Sequence, residues 1–211
     1  MRRMDPHQAD SRLWFSATKR NREAIASVLQ PLLPTNGLVL EIASGSGEHL
    51  CYLQQRFCSS HPRLLWQGSD PDPSHRASLA AWGRHLQLQT MPTPLDLDAT
   101  IHPWPEIKPE LMLCINMIHI APWEASEGLL AEAGHQLCAG SLLVLYGPFR
   151  EKTVPINPSN EAFDASLRHR DQRWGLRHLE DVSMLAQQHG LDPAGRWPMP
   201  ANNLTVAFRR R

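Results

Sequence analysis

The sequence predicts an α/β domain wound around a parallel sheet, and three observations carry that prediction. Short apolar runs alternate with helix-patterned stretches along most of the chain. The stretch from Val39 to His49 passes from an apolar, β-branched run through Ser44-Gly45-Ser46-Gly47 into polar helix formers, the order strand, glycine loop, helix. Polar residues recur where the apolar runs stop: Asp70 beyond Leu64 to Trp66, Asp98 beyond Leu95 and Leu97, Asn116 beyond Leu111 to Ile115, and Tyr146 at the end of its own run. In a right-handed parallel wind those positions gather at the carboxyl edge of the sheet, where ligands bind.

Each element follows from local pattern. Residues 1–12 read as a flexible tail. Leu13 to Asn21 mixes aromatic and polar residues ahead of a helix with Ile25, Val28 and Leu29 on one face, ended by Pro31 and Pro34. After the glycine loop a helix covers His49 to Cys58, with Cys51 and Cys58 facing inward. The next helix runs from Ser74 to Leu86, since Ala77, Leu79, Ala80 and Trp82 are adequate helix formers without internal proline. Thr93 to Ala99 reads as a short strand, and the nearly unbroken apolar run Leu111 to Asn116 as a central strand covered on both faces. Leu129, Leu130, Ala133 and Leu137 share a stripe of a helix from Glu124 to Leu137, ended by Ala139-Gly140, and Ser141 to Tyr146 is another buried strand. Beyond Pro148, Pro155 to Asn160 reads as a polar loop before a helix near Glu161 to His169, and residues 150–178 as a lid or substrate wall. A helix from Leu179 to His189 capped by Gly190 precedes strands at Arg196 to Pro198 and Leu204 to Phe208. No repeat or linker marks a second domain, so 1–211 reads as one.

Composition narrows the partners. Basic and acidic residues number 21 each, so no global field draws the chain to nucleic acid or an anionic membrane, and a small or neutral substrate fits better. The four cysteines form no C-x-x-C pair and read as buried free thiols of a reducing compartment. No apolar stretch has the length of a signal peptide or a membrane span, which predicts a soluble, cytoplasmic protein; oligomeric state is not legible. No Cys/His cluster has zinc spacing, so no metal is expected, and Gly45-Ser46-Gly47 is not the G-x-S-x-G elbow of a hydrolase.

The glycine loop is the centre of the chemistry. Glycines let a ligand approach the backbone, and the first N–H groups of the following helix point at it. Asp70 lies roughly 20 residues further on, where a ribose-binding acid belongs. A nicotinamide-dependent oxidoreductase uses the same acid but favours G-x-G-x-x-G, and Leu50 stands where its third glycine would be. A binding protein that keeps a nucleoside pocket without chemistry is the other rival.

Glu41-Ile42-Ala43-Ser44-Gly45-Ser46-Gly47 resembles the E-x-G-x-G-x-G loop of class I S-adenosylmethionine-dependent methyltransferases, with Ala43 as a conservative replacement of the first glycine. Ser16-Ala17 with Arg20-Asn21, Leu40 to Gly47, Cys114 to Ile120, Pro158-Ser159-Asn160, Phe163-Asp164 and Met199 to Leu204 look like the family of methyltransferase-like proteins that includes methyltransferase-like twenty-six. That likeness covers almost the whole chain. It implies a Rossmann-like, seven-stranded sheet with helices on both faces and a last strand, Leu204 to Phe208, running antiparallel. It implies S-adenosylmethionine as cofactor, S-adenosylhomocysteine (SAH) as product, and an acceptor it does not identify. Carried over by residue, Asp70 would hold both ribose hydroxyls and Asp98 the adenine amino group, with Asp96 as the alternative. Glu41 and the Gly45 to Gly47 backbone would flank the methionine end with the Asn116 carbonyl, and Ala43, Ser44, His49 and Ala99 would complete the cofactor's surroundings.

Methyl transfer from a sulfonium asks mainly for alignment of the acceptor, plus a base where a proton must leave. Asn116 is placed for polar alignment, and His119, just past a strand end, is a candidate base or else an ordinary loop histidine. A lidded acceptor pocket is expected between Trp14 to Asn21, Pro158 to Trp174 and Met199 to Asn203, with Arg20, Asn21, Tyr146, Asn160, Asp164, Arg168 and Asn202 as substrate-binding candidates. Asn160, Asp164 and Arg168 have the spacing of one helix face.

Overall fold

The computed structural model describes residues 10–88 and 91–211; the expected tail over 1–12 lies outside the described residues as far as residue 9. Helices are α1 (Ser16–Leu29), α2 (Glu48–Phe57), α3 (Pro73–His85), α4 (Trp123–Gln136), α5 (Pro158–Arg170) and α6 (Leu179–Gln188). Strands are β1 (Gly37–Ile42), β2 (Leu64–Gly68), β3 (Leu111–Ile115), β4 (Leu142–Gly147), β5 (Phe149–Arg150), β6 (Arg177–His178), β7 (Leu191–Met199) and β8 (Asn203–Arg210).

The central sheet has the order β2-β1-β3-β4-β8-β7. Strands β1 to β4 pair in parallel, and β8 runs antiparallel to both of its neighbours, as expected of the last strand. Period-two alternation sorts the core. Leu40, Ile42, Met112, Cys114, Leu143 and Leu145 meet α4 and α6 on one face, while Val39, Leu111, Leu113, Ile115 and Val144 meet α1, α2 and α3 on the other.

The sheet has six strands, not seven. The segment Thr93 to Ala99, read as a strand, makes only one bridge, Leu95 to Ser69. Leu95 donates to the Gly68 carbonyl and accepts from the Asp70 amide, but Pro92 and Pro94 have no N–H to extend the ladder. A second sheet of β5 and β6, two residues each, pairs Phe149 and Arg150 with Arg177 and His178. It was not expected, because so short a pair has no periodicity to read.

Other boundaries move for identifiable reasons. Helix α5 starts at Pro158, inside the stretch read as loop: the Asn157 side chain accepts from the Ser159 amide at 3.0 Å, and proline at the first helical position has no N–H to waste. Asp72 and Pro73 start α3 in the same way. Helix α1 begins at Ser16, taking in residues read as preceding it. All four cysteines are free, but only Cys51 and Cys114 are buried; Cys58 and Cys138 are exposed, against the inward reading of Cys58. Among the described residues no helix is long and apolar enough to cross a membrane.

Candidate functional site

Strand β1 ends at Ile42, and the chain then turns through positive φ at Ala43 (55°), Gly45 (56°) and Gly47 (83°). Glycine is required at Gly47, where a Cβ would lie 2.5 Å from the Leu79 Cα. Ala43 is less conservative than its size suggests, because an alanine in the left-handed region costs about 1 kcal/mol. Crossed bonds lock the loop to the end of β2: Ser44 donates to the Ser69 carbonyl at 2.8 Å, and the Ser69 amide returns to the Glu41 carbonyl at 3.0 Å.

Asp70 is buried beside this loop. Its carboxylate accepts from the Gly45 amide (2.9 Å), the Asp72 amide (3.0 Å) and His75 Nδ1 (3.1 Å). A carboxylate offers about four acceptor positions, so one stays open. His75 was not anticipated; the signal for it was the Asp72-Pro73 helix start, which turns the first residues of α3 back toward Asp70. Asp98 accepts from the Thr100 amide and hydroxyl with Oδ1, both at 2.8 Å, which leaves Oδ2 without a partner among the described residues. Asp96 pairs with Arg76 at 3.0 Å and is exposed, so Asp98 is the acid on the cavity.

Glu41 lies on the α1–α3 face of β1, 1% exposed, and its Oε2 has no hydrogen-bond partner among the described residues. Burial raises its carboxyl to about 8; a Ser44 hydrogen bond opposes that rise and the Asp70 charge adds to it. His49 Nε2 lies 2.8 Å from Asn21 Oδ1, and burial, with the Arg22 charge adding, holds that imidazole down to about 4. Asn21 and Asn203 both hydrogen-bond Tyr146, whose hydroxyl burial nevertheless raises above its ordinary value.

At the end of β3, Asn116 takes φ 61°, and its amide donates to the Tyr146 carbonyl at 2.8 Å. His119 follows, 3% exposed, its ring edge-on to Phe163 with centroids 5.8 Å apart. Both side chains abut Gly147: a Cβ there would lie 3.1 Å from His119 Nδ1 and 3.7 Å from Asn116 Oδ1. Burial, with the Arg177 charge adding, lowers His119 to about 4.

One cavity of about 1140 Å³ joins these groups. Arg20, Asn21, Ala43, Ser44, Gly45, His49, Asp70, Asp98, Ala99, Asn116, His119, Tyr146 and Asn160 line it. Glu41, Gly47, Asp164, Arg168 and Asn202 do not. The Asn202 carbonyl accepts from Asn160 Nδ2 at 2.9 Å, behind the wall. Asp164 is buried in an internal knot, accepting from Arg150 (2.8 Å), Arg168 (3.1 Å) and the Leu176 amide (2.7 Å). Burial raises its carboxyl, and those three donors together outweigh burial and hold it below its ordinary value.

A strap from the start of the described chain closes one side. The Leu13 amide donates to Ser78 Oγ at 2.8 Å, Trp82 Nε1 to the Leu13 carbonyl at 3.0 Å, and the Phe15 amide to Glu48 Oε2 at 2.7 Å. The Phe15 ring comes within 2.9 Å of where a Cβ on Gly45 would stand. Among the described residues no group of three or more His, Cys, Asp or Glu is arranged to hold a metal ion.

A family model described as "Protein of unknown function (DUF938)" matches residues 12–210. Solved structures share the fold at low identity. An O-methyltransferase family 2 protein from Planctomyces limnophilus in complex with apigenin superposes with TM-score 0.77 at 18% identity, over 93% of this chain and 59% of that one. A magnesium protoporphyrin IX methyltransferase from Synechocystis with bound SAH gives TM-score 0.66 at 14% identity, over 90% of this chain and 81% of that one. A methyltransferase of calicheamicin biosynthesis in SAH-bound form gives 0.68 at 14%, over 89% and 54%. This chain therefore spans little more than half of several structures it matches, and it has the class I methyltransferase fold.

Proposed function

We propose a function from one premise: the chain belongs to the family described as protein of unknown function (DUF938). It acts as an S-adenosylmethionine-dependent methyltransferase on a small-molecule acceptor. The finer resemblance, to the group that includes methyltransferase-like twenty-six, forms part of the same reading. The observation that carries it is the continuous cavity that runs from the glycine loop and Asp70 to Asn116 and His119 at the ends of the central strands. Single-ligand pockets typically span ~300–1,000 Å³, so 1140 Å³ suits a nucleoside cofactor with an acceptor beside it.

The residues present fit that cofactor. Asp70 keeps an open acceptor position for one ribose hydroxyl, and a second becomes available if His75 gives way. Asp98 Oδ2 is free for an adenine amino group. The left-handed turns at Gly45 and Gly47 bare the backbone at the amino end of α2. Leu50, fully buried, fills the place of the third glycine of a dinucleotide site. The cofactor supplies a methyl group on a sulfonium. Asn116, His119 and Tyr146 then have the task of aligning the acceptor and keeping water out. Similar folds crystallised with SAH and with apigenin support the cofactor and a small acceptor.

Thermal denaturation with SAH tests this. At a hundredfold excess over Kd the ligand adds about 2.7 kcal/mol, which raises Tm by roughly 5–10 °C for a domain of this size. Asp70→Asn, which keeps one acceptor oxygen against the loop, weakens SAH by roughly tenfold or more. No shift at millimolar SAH removes the cofactor assignment.

A further inference from the structure

Resting on the methyl-transfer reading above, we propose that the acceptor is an uncharged aromatic hydroxyl compound, of the phenol class, that it is methylated on oxygen, and that His119 takes its proton. The first support is the distribution of charge in the cavity. Its acceptor end carries neutral polar groups: Asn21, Asn116, His119, Tyr146 and Asn160. The charged groups stand elsewhere. Asp70, Asp72, His75 and Asp98 lie at the glycine-loop end, Asp171 and Arg173 are paired with each other at 2.7 Å, and Arg20 is on the exposed rim. A carboxylate or ammonium acceptor buried there meets no unspent counter-charge on the wall, since Arg177 near His119 is engaged by the Ile118, Ala121 and Arg173 carbonyls and does not line the cavity, and an unpaired buried charge is strongly disfavoured.

The second support is the apolar mouth. Phe163 and Ile120 are 40% and 41% exposed, large for such side chains, and both line the cavity with Trp174. A flat ring covers that surface as an alkyl polyol does not. The third is His119 itself. It is 3% exposed on the cavity wall; among the described residues neither ring nitrogen makes a hydrogen bond, and with Nδ1 sealed against Gly147 the nitrogen left to meet a ligand is Nε2. A buried imidazole that lines a cavity with no protein partner is available to a ligand. The charged group facing it is Arg177 of β6, whose guanidinium is occupied by the Ile118 and Ala121 carbonyls; burial with that charge keeps the ring uncharged and able to accept.

The step balances. The phenolic O–H bond breaks and its proton passes to His119, the oxygen forms the new bond to the methyl carbon, and the carbon–sulfur bond breaks with its electron pair left on sulfur, giving SAH. Solvent then takes the proton from His119. A weakly basic imidazole suffices because the hydroxyl becomes strongly acidic as its oxygen bonds to carbon. An aliphatic hydroxyl, far less acidic at the outset, is served less well.

The probes are naphthol, naphthoate and naphthylmethylamine, titrated by calorimetry into protein already loaded with SAH. Naphthol is expected to bind roughly tenfold or more tightly than either charged analogue. With S-adenosylmethionine, SAH release is then followed for naphthol and for nitro-substituted naphthols of increasing acidity. His119→Gln is expected to slow naphthol by roughly a hundredfold, with SAH affinity unchanged, and the deficit is expected to shrink as the naphthol becomes acidic enough to ionise unaided. Naphthoate binding as well as naphthol, a deficit constant across the series, or no SAH formed from any member overturns the proposal. Failure of SAH to bind the wild type falls instead on the cofactor reading.

Discussion

Glu41, His49 and His119 place three ionisable groups in buried positions, and their effects on stability oppose one another. Glu41 keeps its proton in the folded chain up to about 8 and loses it near 4.5 when unfolded, so stability falls as pH rises through that window. The two imidazoles, ordinarily at 6.5, are held at about 4 by burial, so the unfolded chain binds more protons between those values and stability rises with pH there. Two rising contributions outweigh one falling contribution below 6.5, and only the falling one remains above it. Without ligand, thermal stability should therefore peak near pH 6.5 and decline toward 8. Glu41→Gln should flatten the alkaline decline while leaving the acid side steep. Melting curves across this range decide it; a mutant that still declines between 6.5 and 8 contradicts the assignment to Glu41.

Among the elements, α5 shows what pattern reveals and what it hides. The spacing of Asn160, Asp164 and Arg168 was legible as one face of a helix, and α5 does carry them. What that face meets depends on β5 and β6, two-residue strands without a pattern of their own, so Asp164 binds Arg150 and the Leu176 amide rather than facing the cavity. Asp164→Ala leaves the partly buried Arg150 guanidinium and the buried Leu176 amide without their acceptor, while Arg168 is half exposed and can turn to water, so it should cost about 2 kcal/mol and lower Tm by roughly 5 °C. SAH affinity should stay near that of the wild type, and a stable mutant that merely lost acceptor binding would restore a contact role for Asp164. Asp72-Pro73 and Asn157-Pro158 carry the signal of a helix cap, but proline also signals a break, and in the proline- and asparagine-rich stretch before α5 the break is the stronger signal. At Thr93 to Ala99 the alternation of Leu95 and Leu97 imitates a strand, but prolines that cannot donate limit it to one bridge.

For the molecule as a whole, the carboxyl edge was legible because each strand's end is polar in a parallel wind, whatever the register. Asp70, Asn116 and Tyr146 converge for that reason. The closing walls were legible only as stretches that strand and helix patterns left unexplained, since Phe15 and Phe163 approach the sheet through contacts far apart in sequence. The strap of Leu13 to Phe15 has a temporal consequence. It is fastened to Ser78, Trp82 and Glu48 by single hydrogen bonds, and its ring covers the loop where the product would lie. If the cofactor lies there as proposed, escape of its spent form should wait on unfastening, a slower event than transfer in many enzymes whose sites close over their ligands. The first turnover should appear as a pre-steady-state burst followed by a slower steady rate set by SAH departure. Phe15→Ala should shorten the residence time of SAH in stopped-flow displacement and abolish the burst, the outcome expected if this ring is the clock of the proposed cycle.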